Sequence, residues 1–80
     1  MNKIYVLIFN SVHRVMKAEK LLKNAKIPAK TIPVPRKLSS DCGLAIRISE
    51  IALEKILEAL INERPEEVYL ELDNKFERVL

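Results

Sequence analysis

Cysteine, glycine and aromatic side chains are all scarce in this chain. Its 80 residues include one cysteine, one glycine, one histidine, two tyrosines, two phenylalanines and no tryptophan. A single cysteine excludes an intramolecular disulfide, and Cys42 with His13 supplies too few soft ligands for a structural zinc site within one chain. No apolar stretch approaches the roughly 20 residues that span a bilayer. The opening Met1-Asn2-Lys3 and the apolar run Ile4 to Phe9 resemble a secretory start. That run ends at Asn10, however, no small-residue cleavage site follows, and lysines continue immediately. The reading is a cytoplasmic protein whose lone thiol stays reduced. A chain this short holds one domain with a thin core, so its stability rests on packing and association.

What is present is charge, unevenly spread. Residues 1–47 carry ten Lys/Arg against Glu19 and Asp41, a net +8, whereas residues 48–80 carry four against nine acids, a net −5. A basic first half suits an anionic ligand or an acidic partner, and it equally suits solvated helix faces.

Apolar periodicity places the elements. Lys3–Phe9 reads as a strand that is apolar on both faces, Ile4, Val6 and Ile8 pointing one way and Tyr5, Leu7 and Phe9 the other, and hence as a central strand. Asn10 or Ser11 caps a helix over 11–25, with Val12, Val15, Ala18, Leu22 and Ala25 at helical spacing. Residues 27–34 read as a second strand whose Pro28 and Pro33 confine it to a sheet edge. After a polar loop, Leu44, Ile46 and Ile48 alternate as a third strand, and Ser49 caps a second helix that runs to about Glu63 before Pro65. Val68, Leu70 and Leu72 form a fourth strand, leaving 73–80 as a C-terminal tail, either a turn plus short strand or a helix.

The order β-α-β-β-α-β predicts an α+β fold of the ferredoxin-like, split βαβ type over residues 1–72. Right-handed crossovers then give a four-stranded antiparallel sheet in the order 4-1-3-2, with two helices on one face and the second and fourth strands at the edges.

That topology brings the junction after the first strand and the loop between the second and third strands to one end of the sheet. Asn10, Ser11, His13 and the amino end of the first helix are therefore expected beside Cys42. A helix amino terminus and nearby cations favour thiolate over thiol. Arg36, Lys37 and Arg14 are the available cations, and His13 is a hydrogen-bond partner or base, while Asp41 opposes them. Gly43 tolerates positive φ, and with Ser39 and Ser40 it can build a nest of amide N–H groups for an anion. The candidate site is thus Cys42 as reactive thiol, with Ser39, Ser40, Gly43, Arg36, His13 and Ser11 as anion-binding or thiolate-stabilising groups. A free cysteine is often only an inert small hydrophobe. Its flanks here, Ser40, Asp41 and Gly43, argue against core burial.

The stretch Pro33-Val34-Pro35-Arg36-Lys37-Leu38-Ser39-Ser40-Asp41-Cys42-Gly43-Leu44-Ala45-Ile46-Arg47 resembles the signature of a selenium/sulfur carrier protein-like family of small bacterial proteins. Its core, Pro-Arg-x-Leu-Ser-Ser-x-Cys-Gly, is the most specific part. Tyr5 to Phe9, Ser11 and Ala18-Glu19-Lys20-Leu21-Leu22 are similar too, so the likeness covers residues 3–72. Asp41 stands where a small or hydroxyl residue is expected. The resemblance implies a carrier in which Cys42 holds sulfur or selenium as a persulfide or selenosulfide. Donor and acceptor proteins would be its partners, and no cofactor is needed.

Other classes compete with that reading. An interaction or regulatory module would dimerise or bind a partner through the open sheet face, with Cys42 incidental. RNA binding on this fold needs aromatics on both central strands, and the third strand has none. A hydrolase built on Cys42 and His13 has little room for a pocket and oxyanion hole.

Overall fold

Ile4–Ile8 forms the central strand, β1, in the computed structural model of the chain, which describes residues 3–38 and 43–80. The remaining elements are α1 (Val12–Asn24), β2 (Lys30–Pro33), β3 (Leu44–Ser49), α2 (Leu53–Ala59), β4 (Glu67–Leu72) and β5 (Lys75–Arg78). They build an α+β fold with one antiparallel sheet in the order β2-β3-β1-β4-β5. β1 pairs with β3 on one side (Leu7↔Ile46) and with β4 on the other (Leu7↔Val68), which explains why both of its faces are apolar.

The sheet has five strands rather than the expected four, and β4 is interior rather than an edge. Residues 75–78, placed in the tail by sequence, form β5 because Asp73 (φ 44°) and Asn74 (φ 67°) make a two-residue turn with both residues left-handed. Such a turn matches the twist of an antiparallel pair, and short polar side chains tolerate it. An Asp-Asn pair between Leu72 and Lys75 was the available signal. Pairing runs on to the last residue, with the Val68 N–H donating to the Leu80 carbonyl at 3.0 Å.

Both helices pack on the face that presents Tyr5, Leu7 and Phe9. There these side chains meet Ile46, Ile48 and Val68 from the sheet, Val15, Ala18 and Leu22 from α1, and Ile56 and Leu60 from the second helical segment. Each fully buried aliphatic or aromatic side chain contributes about 1.5–3 kcal/mol.

Helix α1 starts as expected, with Ser11 Oγ accepting the Arg14 N–H at 3.2 Å. It ends in a Schellman turn. The Ile27 N–H donates to the Leu22 carbonyl at 2.9 Å and the Lys26 N–H to Lys23 at 3.0 Å, with Lys26 at φ 60°. That turn consumes Ile27, and Pro28 cannot donate to a ladder, so β2 begins only at Lys30.

The second helix corrects two expectations. Ser49 does not cap it. Ser49 is the last residue of β3, paired with Ile4, and the Glu50 N–H donates to the Lys3 carbonyl at 2.8 Å with φ 62°. The ladder to β1 thus keeps Ser49 in the strand, the chain turns at Glu50, and Ala52 takes the cap position without a side-chain hydrogen bond. The helix also stops at Ala59 rather than near Glu63, tightening into i→i+3 bonds from Ile61 to Glu58 and from Glu63 to Leu60.

Candidate functional site

The loop between β2 and β3 is pinched shut at its base. The Val34 N–H donates to the Gly43 carbonyl at 3.0 Å, so the two ends of the connection meet in a closed neck. Gly43 sits at that neck, exposed, with φ 75° and, its chain neighbours apart, no atom of the described residues within 4 Å of where a side chain would begin. Only glycine adopts that backbone without strain. Ser39, Ser40, Asp41 and Cys42 lie outside the described residues.

The outgoing half of the loop lies along the second face of the sheet. Pro35 to Leu38 make a turn, closed by the Leu38 N–H on the Pro35 carbonyl at 2.9 Å. Val34 and Leu38 pack with Ile32, Tyr69 and Phe76 on a small buried cluster of Val6, Ile8 and Ala45. The Lys37 ammonium donates to the backbone carbonyl of Asn74. Asn74 belongs to the β4–β5 turn, at the sheet end where Ile4 pairs with Glu71, whereas the neck lies at the opposite end, where Ile8 pairs with Ala45. Residues 34–38 are therefore a strap across the face, and they cover its cluster of Val6, Ile8 and Ala45.

This placement separates residues that the sequence reading grouped. Ser11 and His13 lie at the neck end, on the β1–α1 junction. Ser11 spends its hydroxyl on the helix cap, and His13 is exposed in the first turn. Arg36 and Lys37 are carried to the far end, where they line a groove with Pro35, Glu71, Asn74 and Phe76.

Arg14 stays at the neck end, but its charge is spent. Its Nε meets Glu63 at 3.1 Å and its Nη1 meets Glu66 at 2.7 Å. Nη2 donates to the Arg64 carbonyl at 2.6 Å, and the guanidinium lies 5.8 Å from the centre of the Phe9 ring. The Glu63 hydrogen bond holds this guanidinium above its ordinary pKa, against the opposing effect of desolvation, with Glu66 adding to the rise. Arg14 thus clamps the segment between α2 and β4 to the start of α1. Local sequence carried no signal for this, because its partners lie 49–52 residues away.

A second polar group borders the strap. The Tyr69 hydroxyl donates to Glu67 at 3.0 Å, and Glu67 also meets Arg78 at 3.4 Å. Burial first, and this hydrogen bond second, raise the Tyr69 phenol above its ordinary value.

The fold and strap define a small α+β domain whose β2–β3 connection closes between Val34 and Gly43. The chain belongs to the family described as "Putative Se/S carrier protein-like", whose model matches residues 4–70, and so both the strap and Cys42. No curated protein and no solved structure matches the chain. Among the described residues, no helix is long and apolar enough to cross a membrane.

Proposed function

We propose that this protein carries a sulfur or selenium atom on Cys42 between a donor and an acceptor protein. The observation that carries the proposal is the family match over residues 4–70, which spans the only thiol of the chain. The neck supports it. Gly43, bonded directly to Cys42, is exposed and has no side chain of its own, which favours approach of a partner to its backbone.

The chemistry is thiol exchange without net oxidation. The Cys42 thiolate attacks the outer sulfur of a donor persulfide, the donor's inner S–S bond breaks, and the donor leaves as thiolate. An acceptor thiolate then attacks the outer sulfur on Cys42 and releases the Cys42 thiolate. Selenium travels identically as a selenosulfide. Ser39, Ser40 and the Gly43 amide are the proposed donors to the anionic outer atom. Arg14, neutralised by Glu63 and Glu66, is not counted among the stabilising cations.

The competing reading, a module that binds through an open sheet face, loses support because Val34 and Leu38 already cover that face. RNA binding loses it as well, since Tyr5 and Phe9 are buried under the helices and offer no ring for base stacking.

Intact mass spectrometry of protein purified without reductant tests the proposal. The expected result is an adduct of one sulfur or selenium atom that reductant removes and Cys42→Ser abolishes. Persistent absence of any adduct after incubation with a low-molecular-weight persulfide overturns it.

A further inference from the structure

The helix layer, on the opposite side of the sheet from the strap, carries the two most exposed large apolar side chains among the described residues, Met16 at 63% and Ile61 at 69%. Met16 lies on α1 with exposed Lys20 and Lys23, spaced 0, +4 and +7. Ile61 follows α2, which carries exposed Glu58 and Glu54, spaced 0, −3 and −7 from it. At a rise of about 1.5 Å per residue, each stripe spans roughly 10 Å, one basic and one acidic. Read in opposite chain directions, the two stripes match residue for residue in type.

The topology presents them in the orientation such a match needs. Helix α1 follows β1 and α2 follows β3, β1 and β3 are antiparallel, and both helices lie on one face, so α1 and α2 run side by side in opposite directions. A two-fold axis parallel to the helices, lying in the contact plane, lays α1 of one copy antiparallel on α2 of the other. Met16 then meets Ile61, Lys20 meets Glu58 and Lys23 meets Glu54, each twice by symmetry.

We infer that this helix face is a self-complementary surface for a second copy of the chain. The charges are free for it. Among the described residues all four ion pairs use arginines, namely Arg14, Arg47 and Arg78, and none uses a lysine or either of these glutamates. The other acid on α1, Glu19, borders the same groove as Met16, Lys20 and Lys23 but is taken up by a hydrogen bond from the Thr31 hydroxyl at 2.6 Å. Lys55 lies off the acidic stripe, one position round the helix from Glu54. The molecule is a slab with two extents of 30 Å and one of 19 Å, and its broad face accommodates the about 800 Å² per partner of a stable dimer. Packing there leaves the strap and the neck at Gly43 accessible to other proteins.

Sedimentation equilibrium on the full chain in reductant, which removes any link through Cys42, tests this inference. The expected species has twice the 9.2 kDa mass of the chain. Lys20→Glu with Lys23→Glu reverses all four symmetric charge contacts, and so does Glu54→Lys with Glu58→Lys. Each pair weakens self-association by roughly tenfold or more. Mixing the two variants restores the dimer, because one α1·α2 contact then carries swapped charges and the other native ones. Met16→Lys weakens the wild-type dimer without touching these charges. A wild-type chain that stays monomeric overturns the inference. So does a dimer that both reversals leave unchanged, or a mixture that yields no heterodimer.

Discussion

The two faces of this sheet are covered by different means. On one, two helices bury Leu7, Phe9, Leu22, Ile46, Ile48, Ile56 and Leu60 completely. On the other, a strap of loop lies over Val6, Ile8 and Ala45 and is itself only half-buried at Val34 and Leu38. The first cover is made of regular structure with its backbone hydrogen bonds satisfied internally. The second is held by a neck bond, a turn, two aliphatic side chains and one lysine contact. Local opening costs least where few apolar contacts oppose it, so the strap face is the low-stability region of the molecule. The fold is held by the helix-covered face.

Truncation on each face sharpens the contrast. Leu22→Ala, in the helix-covered core, should cost about 2–5 kcal/mol. A domain of this size has only roughly 4–12 kcal/mol of stability at the usual range per residue, so urea denaturation should show a large drop in midpoint or an unfolded chain. Leu38→Ala, on the half-buried strap, should cost no more than about 1–2 kcal/mol, less than a full core truncation. Hydrogen exchange should then quicken at the Val34 and Leu38 amides while the β1 amides keep their protection. Equal losses at both positions, or β1 exchanging as fast as the strap, would erase the proposed distinction.

The smallest effect concerns the polar border of the strap. Because the folded Tyr69 phenol is held above its ordinary value of 10.0, an unfolded chain loses that proton first as pH rises. Its contribution to stability is whole below pH 10 and is lost as pH climbs through the folded value. Between pH 10 and the folded value, stability should therefore fall less steeply in Tyr69→Phe than in wild type, as read from urea midpoints across an alkaline series. Identical slopes would remove Tyr69 from the account.

Local patterns explain what could be read in advance. The period-2 run at Ile4–Ile8, Ser11 as helix cap, the prolines that keep β2 at an edge and the glycine beside the cysteine each act over a few residues. Their signals therefore sit in consecutive sequence. Ser49 misled because a hydroxyl before an apolar-periodic run looks like a cap. There the ladder to β1 prevailed over the local preference.

The amino-acid sequence by itself determined the order of elements from β1 to β4, the centrality of β1 and the family, since these rest on side-chain period, backbone chemistry and a contiguous motif. Tertiary structure decided where the cations went and what covers the second face. Arg14 finds Glu63 and Glu66, and Lys37 finds Asn74, only once segments 37–52 residues apart are folded together. A charge near a thiol in sequence is available to it only if no better partner arrives through the fold, and for Arg14 two glutamates do.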